Sequence, residues 1–242
     1  MESLSNLAQD SRRLLARVLD ILMPQDCHVC GELASEHGVC VACLAELPRR
    51  PSTACPICAL PALNGGPCGQ CLRQAPCYDA TLAVFDYAFP IDRLVQSMKY
   101  GHQLSVAAYF GAELRALGES RALDVDLLLP MPLHPRRLAD RGFNQAVELA
   151  RPLARSLGCP MELARVSKVR DTPAQASLGR DERLLSPRDV FRCDRGLDGL
   201  HVLVVDDVMT TGATLNEMAR CLKQHGARRV TNLVVARTPA PA

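Results

Sequence analysis

The sequence predicts an α/β protein in which helices flank a parallel sheet, preceded by a small cysteine-rich module. Two short, mainly aliphatic runs, 126–129 and 202–205, are typical of strands buried on both faces of a parallel sheet. The second run leads into a helical pattern with Leu215, Met218 and Leu222 on one face. Four Cys-x-x-Cys pairs lie within 45 residues of the N-terminal part. These three observations fix the predicted order of the two parts.

The 242 residues suffice for one α/β domain and a small appendage. We predict an amphipathic helix over residues 1–24, the cysteine-rich module over 25–76 and the α/β domain over 77–242. Leucines and valines alternate with charges in the first segment at helical spacing. Such a helix packs on its own protein or, as the alternative, lies on a membrane surface.

The composition indicates a cytoplasmic protein. No run of 18 apolar residues occurs, and Arg12, Arg13, Arg17 and Asp20 interrupt the apolar N-terminal segment. We therefore expect neither a transmembrane segment nor a secretory signal. The net charge of +2 is too small to indicate nucleic-acid binding by itself. Twelve cysteines in a reducing compartment favour metal binding over disulfides.

The paired cysteines predict two structural Zn²⁺ sites. Each pair lets two thiolates chelate one ion, and nine residues separate the two pairs of each successive couple. Consecutive pairing is the simplest arrangement, whereas interleaved pairing would give a cross-braced module. Iron–sulfur ligation is a weaker alternative, and redox chemistry would need a thioredoxin-like strand and helix. The predicted ligands are Cys27, Cys30, Cys40, Cys43, Cys55, Cys58, Cys68 and Cys71.

Charge separates the two parts of the chain. Residues 1–76 carry six arginines and seven acidic residues, and each zinc tetrathiolate adds further negative charge. Because cationic side chains provide affinity for phosphate backbones, a structural or protein-docking role is favoured for the module. Residues 77–242 carry 22 basic and 19 acidic side chains. Any single-stranded DNA is expected there, across the basic segment 165–195 and the cluster of Arg136, Arg137 and Arg141.

The elements of the α/β domain follow from periodicity and from turn residues. Strands are expected at 80–87, 126–129, 161–166, 202–205 and 230–236. Helices are expected at 91–100, at 104–117, in a segment that ends at 157, and at 215–225. The aperiodic segment 167–190 is too long for an ordinary connection, which favours a functional loop over a merely solvated one. Two prolines around Met131 predict a rigid turn directly after a strand, where ligands of parallel sheets gather.

An acidic pair followed by a loop of small residues is the most specific feature. The strand 202–205 is predicted to stop at Asp206 and Asp207, and the run 210–214 then leads into the helix. Loop amides and a helix N-terminus receive a phosphate, while carboxylates accept hydrogen bonds from vicinal hydroxyls. An ordinary capped turn explains one hydroxyl and one acid, but not the whole run. The pattern therefore predicts a site for a phosphorylated sugar.

This pattern resembles the signature of type I phosphoribosyltransferases, which bind 5-phosphoribosyl 1-diphosphate (PRPP) together with Mg²⁺. The resemblance implies a parallel sheet of that type and gives Asp206 and Asp207 the ribose hydroxyls. It gives the 5′-phosphate to the loop residues Thr210, Thr211, Gly212, Ala213 and Thr214. The glycine-lysine pair of an ATP-binding P-loop does not occur in this loop, which argues against an ATPase.

Nearly the whole chain resembles the ComF family, in which a double zinc ribbon precedes a phosphoribosyltransferase domain. The resemblance rests on Pro130-Met-Pro-Leu-His-Pro-Arg-Arg, Arg141-Gly-Phe-Asn-Gln, Arg170-Asp-Thr-Pro-Ala-Gln and Val204-Val-Asp-Asp-Val-Met-Thr-Thr-Gly-Ala-Thr-Leu. It implies that Met131 and Pro132 lie where type I enzymes hold pyrophosphate. It also implies that 168–183 is the mobile catalytic loop, where Lys168 and Arg170 would neutralise the departing pyrophosphate.

ComF-like proteins are associated with competence and natural transformation. The resemblance therefore implies a phosphoribosyltransferase-like protein of DNA uptake, which transfers phosphoribosyl to an unidentified acceptor and releases pyrophosphate. The alternative is a non-catalytic, PRPP-responsive adaptor that binds single-stranded DNA or docks other DNA-uptake proteins through the zinc module. An acceptor pocket would separate the two, and the sequence shows none.

Overall fold

The structure is a computed structural model that describes residues 26–34, 38–51, 53–101, 103–171 and 189–239. The helix expected over residues 1–24 lies outside these ranges, and so does most of the segment 167–190. Within the described ranges, every helix is too short or too polar to traverse a lipid bilayer.

A four-stranded parallel sheet forms the centre of the fold. Its order is β1 (Ala80–Asp86), β6 (Arg229–Arg237), β5 (His201–Met209) and β2 (Leu127–Pro130). The two central strands β5 and β6 are buried over most of their length, as expected when both faces of a parallel sheet are covered. A separate antiparallel pair consists of β3 (Val166–Lys168) and β4 (Phe191–Cys193).

Helices cover both faces of the sheet. In chain order they are α1 (Val41–Ala45), a 3₁₀ turn (Leu63–Gly65), α2 (Gly69–Arg73), α3 (Ile91–Tyr100), α4 (Leu104–Ser120), α5 (Pro135–Arg141), α6 (Gln145–Leu157) and α7 (Ala213–Gln224). Helices α3, α4 and α6 pack on the face that includes Leu203 and Val205. Helix α7 packs with the pair β3–β4 on the face that includes Val202 and Val204.

The predicted fold class is confirmed, while two strand boundaries were wrong. Strand β5 does not stop at the carboxylates but continues to Met209, because β6 runs alongside and pairs Asp206 with Val234. The expected strand 161–166 is reduced to a single bridge between Met161 and Leu128. The regular pairing begins only at Val166, because its partner is β4 and not the central sheet.

The cysteine-rich segment packs directly on the α/β domain. Cys27, Val39 and Leu47 share one core with Phe85 and Phe110. Cys55, Cys58, Leu60 and Cys71 share the other core with Tyr78 and Met209. The intervening chain runs along the edge of β1, where the amide of Arg50 donates to the carbonyl of Val84 at 3.0 Å. The two parts therefore rely on common buried surfaces.

Candidate functional site

The eight paired cysteines form two separate four-cysteine clusters. One consists of Cys27, Cys30, Cys40 and Cys43, the other of Cys55, Cys58, Cys68 and Cys71, and the sulfur atoms of each lie within 4.8 Å of one another. The structure therefore resolves the pairing as consecutive. The sulfur atoms of Cys30 and Cys40 are 3.7 Å apart in the first cluster, and those of Cys58 and Cys68 are 3.5 Å apart in the second. A zinc tetrahedron with Zn–S bonds of about 2.3 Å needs roughly 3.8 Å, so both clusters fit Zn²⁺.

The local geometry repeats from one cluster to the other. The amide of Cys40 donates to the sulfur of Cys27 at 3.3 Å, and the amide of Cys68 donates to that of Cys55 at the same distance. Each second Cys-x-x-Cys pair begins a short helix, α1 or α2. Their burial differs, because Cys30 is exposed in the first cluster whereas three cysteines of the second are buried. The second cluster is thus the more deeply embedded.

We expect each cluster to hold one structural zinc ion. Cys27→Ser and Cys55→Ser should each lower the zinc content from two ions to one, since three thiolates bind the metal much more weakly than four. Elemental analysis of freshly purified, reduced protein checks this, with Cys159→Ser as a control outside both clusters. Iron in the wild-type protein, or two ions retained in either variant, would contradict the assignment.

The acidic pair lies near the carboxyl end of β5 and its two members have different surroundings. Asp206 is half-buried, while Asp207 is buried. The carboxylate of Asp207 receives the Lys99 ammonium at 2.9 Å and the side-chain amide of Gln145 at 3.1 Å, both at Oδ2. The end of the neighbouring strand β2 brings the backbone of Met131 to the same edge of the sheet, where its amide donates to the carbonyl of Val205. The pair therefore lies where parallel sheets bind ligands.

Lys99 contacts the acidic pair, although the sequence patterns did not single it out. It lies in the last turn of α3, next to the buried stripe formed by Ile91, Val95 and Met98. A lysine that continues an apolar stripe is a signal, because a buried ammonium needs a charged partner. Its partner is far away in the chain, so the sequence showed the anomaly but not the contact.

The two carboxyl groups of the pair differ in their electrostatic surroundings. Burial, together with the neighbouring charge of Asp207, raises the pKa of Asp206 to about 7. Burial opposes the charge of Lys99, but the adjacent Asp207 outweighs this effect and raises the pKa of the ammonium. Asp207 and Lys99 therefore form an ion pair, and Asp206 is the carboxyl group that can gain or lose a proton near neutrality.

The run 210–214 lies between β5 and α7 in the predicted order, but the helix begins at Ala213 and not at Leu215, so Ala213 and Thr214 belong to its first turn. Gly212 has φ +83° and directly precedes α7, so the chain turns sharply and directs the first amides of a 12-residue helix toward the strand end. The hydroxyl of Thr211 accepts from the amide of Ala213 at 3.3 Å. A Cβ on Gly212 would lie 2.6 Å from Cε of Met209, so a larger residue requires the flexible end of that side chain to move, and the positive φ would also strain its backbone.

The turn after β2 is held against the same strand end. The amide of Met131 donates to the carbonyl of Val205 at 2.8 Å, and the side chain of Asn144 donates to the carbonyl of Met131 at 3.0 Å. Pro132 follows at the half-buried rim. His134 accepts from the amide of Arg136 at 3.3 Å, which makes it the N-cap of α5. The turn therefore lies beside Asp206.

Lys168 and Arg170 were both expected in the mobile catalytic loop, and the structure places them in different surroundings. Lys168 is the last residue of β3, paired with Phe191, and not part of an irregular loop. Burial, then the charge of Arg137, lowers its pKa, while Asp206 acts in the opposite direction. Lys168 is thus within electrostatic reach of the acidic pair. Arg170 lies on the exposed surface two residues further, and residues 172–188 are outside the described ranges.

Comparisons with known proteins agree with this architecture. Residues 18–72 match the double zinc ribbon domain family, and residues 144–242 match the phosphoribosyl transferase domain family. The chain is similar to "DNA utilization protein YhgH" of Salmonella typhimurium, with 35% identity over 226 residues, 90% of this chain and 99% of that protein. It is also similar to "Competence protein F" of Haemophilus influenzae, with 30% identity over 67% of this chain and 75% of that protein.

Among solved structures, the chain is similar to the glutamine PRPP amidotransferase from B. subtilis complexed with ADP and GMP. The identity is 22% and the TM-score 0.39, and the match covers 55% of this chain and 27% of that one.

Proposed function

Because the chain belongs to the ComF family, whose members include the curated YhgH and competence F proteins, we propose that it binds PRPP with Mg²⁺ and transfers the phosphoribosyl group to an acceptor. The observation that carries this proposal is the Lys99–Asp207 ion pair beside the half-buried Asp206, directly before the loop that ends at Gly212. That arrangement offers adjacent sites for a polyol and for a phosphate.

Each part of the site has a role in this proposal. The ribose hydroxyls donate to Asp206 and Asp207, and the 5′-phosphate accepts from the amides of the run 210–214 at the start of α7. The pyrophosphate lies at the turn of Met131 and Pro132. Mg²⁺ prefers oxygen ligands and is commonly held through substrate phosphates. Here it would be bound mainly by the diphosphate, whose developing negative charge it neutralises.

The transfer step breaks the bond between the anomeric carbon and the pyrophosphate oxygen and forms a bond from that carbon to an acceptor nitrogen. The bonding electrons leave with the pyrophosphate, so the ribose passes through a state with oxocarbenium character. We propose that Lys168 and Arg170 stabilise the departing negative charge, because preorganised cations act most strongly where charge develops. The carboxylates keep the ribose rigid while this happens.

The proposal extends to the pathway and the location. The names of the relatives connect the family to DNA utilization and competence. We therefore propose that the protein has a role in DNA uptake and that it acts in the cytoplasm. Other DNA-uptake proteins would dock on the zinc module. The decisive experiment is a screen for pyrophosphate release from PRPP and Mg²⁺ with nucleobases, nucleosides and single-stranded DNA as acceptors. Absence of PRPP binding by calorimetry would refute the proposal.

The affinity for PRPP should rise with pH between pH 6 and pH 8. The raised pKa of Asp206, about 7, means that this carboxyl is mostly protonated at pH 6 and ionised at pH 8 in the ligand-free protein. Only the ionised form accepts hydrogen bonds from both ribose hydroxyls, so the dissociation constant should be about tenfold larger at pH 6 than at pH 8. Calorimetry at constant ionic strength measures this dependence.

The matched control for the pH series is Asp206→Asn, which is isosteric and does not titrate. It reports the part of the pH dependence that comes from the phosphate groups of PRPP itself. Identical pH profiles for the wild-type protein and Asp206→Asn would show that Asp206 does not carry the proton.

A second candidate function is a PRPP-responsive adaptor that binds single-stranded DNA without catalysis. The observation that favours it is an exposed aromatic ring beside the acidic pair. Tyr100 is 66% exposed, and the guanidinium of Arg141 lies 5.3 Å from its ring centroid. Its neighbour Lys99 contacts Asp207. A tyrosine with an adjacent arginine is a typical stacking surface for unpaired bases.

Titration of labelled single-stranded DNA against the full-length protein, with and without PRPP, tests the adaptor. The full chain is required because the cysteine-rich segment shares both cores with the α/β domain. Tyr100→Ala should weaken binding about tenfold. Phe89→Ala is the control, since Phe89 is equally exposed but lies just before the opposite end of α3. Equal losses in the two variants would exclude a specific role of Tyr100.

A further inference from the structure

Arg237 is a buried arginine that none of the roles above uses. It is the last residue of β6 and only 4% exposed. Its Nε donates to the carbonyl of Cys58 at 2.9 Å. Its Nη1 donates to the carbonyls of Met209 and Thr238, each at 3.1 Å, and to the carbonyl of Thr210. One guanidinium therefore connects chain segments that are far apart in the sequence.

Both ends of this connection belong to functional parts of the molecule. Cys58 is a member of the second cysteine cluster. Met209 ends β5, and Thr210 begins the run that we assign to the 5′-phosphate. A charged donor forms stronger hydrogen bonds than a neutral one, and the planar guanidinium holds its acceptors at fixed angles. Arg237 therefore fixes the backbone of Cys58 relative to the start of the phosphate-binding run.

The side chains around Arg237 reinforce the same connection. Cys55, Cys58 and Cys71 pack in one core with Tyr78 and Met209. An ideal Cβ on Gly212 would lie 3.2 Å from the hydroxyl oxygen of Tyr78, so this ring borders the sharp turn. The amide of Cys77 also donates to the side chain of Asn216 in α7 at 2.7 Å. The second cluster and its flanking residues thus contact the strand, the turn and the helix of the proposed phosphate site.

Charge balance provides an independent reason for this arrangement. A buried guanidinium is destabilising unless its donors are paired and its charge is compensated. Four thiolates around one Zn²⁺ leave a net charge of about −2, and Arg237 touches the backbone of one ligand. The first cluster packs elsewhere, with Val39 and Leu47 against Phe85 on the opposite face of the sheet. The coupling is therefore specific to the second cluster.

We propose that Arg237 is a positioning residue that couples the second zinc site to the run 209–214, so that the integrity of this site sets the affinity for the 5′-phosphate of PRPP. The inference rests on the proposed function for its ligand, but not for the coupling itself. Loss of zinc from the second cluster frees the carbonyl of Cys58 to move, and Arg237 then no longer holds Met209 and Thr210. Zinc loss from the first cluster leaves these contacts unchanged.

Amide hydrogen exchange of the full-length, zinc-loaded protein without ligand tests the coupling. Exchange over residues 209–214 should be at least about tenfold faster in Arg237→Met, because the variant loses the two charge-assisted hydrogen bonds to the carbonyls of Met209 and Thr210. Arg237→Lys keeps the positive charge but lacks the planar guanidinium, so it should restore part of the protection of residues 209–214 against exchange. Arg228→Met is the matched control, since Arg228 is exposed and its Nε donates to the single carbonyl of Gly199 at 3.2 Å.

The second arm compares equivalent cysteines in the two clusters. Cys68→Ser should accelerate exchange over 209–214, whereas Cys40→Ser, at the same position of the first cluster, should not. This pair decides the question if Arg237→Met does not fold. Unchanged exchange in Cys68→Ser, or equal acceleration in both cysteine variants, would overturn the proposal.

Calorimetry with PRPP and Mg²⁺ separates the coupling from the proposed function. Arg237→Met and Cys68→Ser should weaken PRPP binding about tenfold, the equivalent of one charge-assisted hydrogen bond, while Arg228→Met and Cys40→Ser bind as the wild-type protein does. If the exchange differences occur but the wild-type protein does not bind PRPP, the proposed ligand is wrong and the coupling stands. If PRPP binds and the exchange does not change, the coupling is wrong and the proposed function stands.

Discussion

Asp206→Asn is expected to weaken PRPP binding by between about tenfold and about 150-fold at pH 8. At this pH the wild-type carboxyl is ionised, because its pKa lies at about 7. The substitution keeps the shape and removes a charge-assisted acceptor for the ribose hydroxyls, which is worth about 1.5–3 kcal/mol. It also leaves the ion pair of Lys99 with Asp207 in place. Calorimetry with PRPP at a fixed Mg²⁺ concentration measures the change.

Asp194→Asn is the matched control for this experiment. Asp194 follows β4, and its half-exposed side chain pairs with Arg192 at 3.2 Å, so the substitution removes the same charge from the surface. Its binding of PRPP should equal that of the wild-type protein. If Asp206→Asn also bound PRPP with unchanged affinity, Asp206 would have no part in the site.

Lys99→Met is expected to lower the free energy of unfolding by about 3 kcal/mol, because it removes one partner of a buried ion pair. The side chain of Asp207 is 6% exposed and that of Lys99 21%. Without the ammonium, the Asp207 carboxylate keeps its contact with Gln145 but loses its charged partner in a poorly solvated site. Chemical denaturation at pH 8, with the metal content verified in each sample, measures the difference.

Two further variants serve to interpret the stability change in Lys99→Met. Lys99→Met combined with Asp207→Asn should recover most of the lost stability, since no uncompensated charge remains, yet it should not recover PRPP binding. Lys223→Met breaks the pair of Lys223 with Asp79, which is 2.8 Å long but more exposed, and should cost no more than about 1 kcal/mol. If Lys99→Met cost as little as Lys223→Met, the pair beside Asp206 would be a surface contact in energetic terms.

The comparison of these variants would also clarify the state of the ligand-free site. Asp206 and Asp207 are adjacent carboxyl groups, and their mutual repulsion contributes to the raised pKa of Asp206. Lys99 compensates Asp207 directly. We therefore expect that ligand binding depends on Asp206 losing its proton, while stability depends on Asp207 keeping its partner. Two neighbouring aspartates would then have different functions.

The sequence by itself determined the features whose chemistry is local. Two Cys-x-x-Cys pairs separated by nine residues form a chelating unit, because a few consecutive residues bring two thiolates to one ion. The buried strand, the acidic pair and the run to Gly212 were equally legible, since a strand, a sharp turn and a helix start depend on neighbouring residues. The consecutive pairing of the cysteines also involves short separations, and the structure selected it from the two arrangements that the spacing allowed.

Only the tertiary structure decided which distant residues meet. Cys58 and Arg237 are 179 residues apart in the chain, and Lys99 reaches Asp207 from a helix that three strands separate from β5 in the chain. Strand periodicity did not reveal that β5 continues past the acidic pair, because the continuation depends on β6 as a partner. The order β1-β6-β5-β2 brings these residues together, and this order results from packing across the whole sheet. The burial of Lys99 and of Arg237, like the identity of their partners, follows from the fold and was not predicted from the sequence.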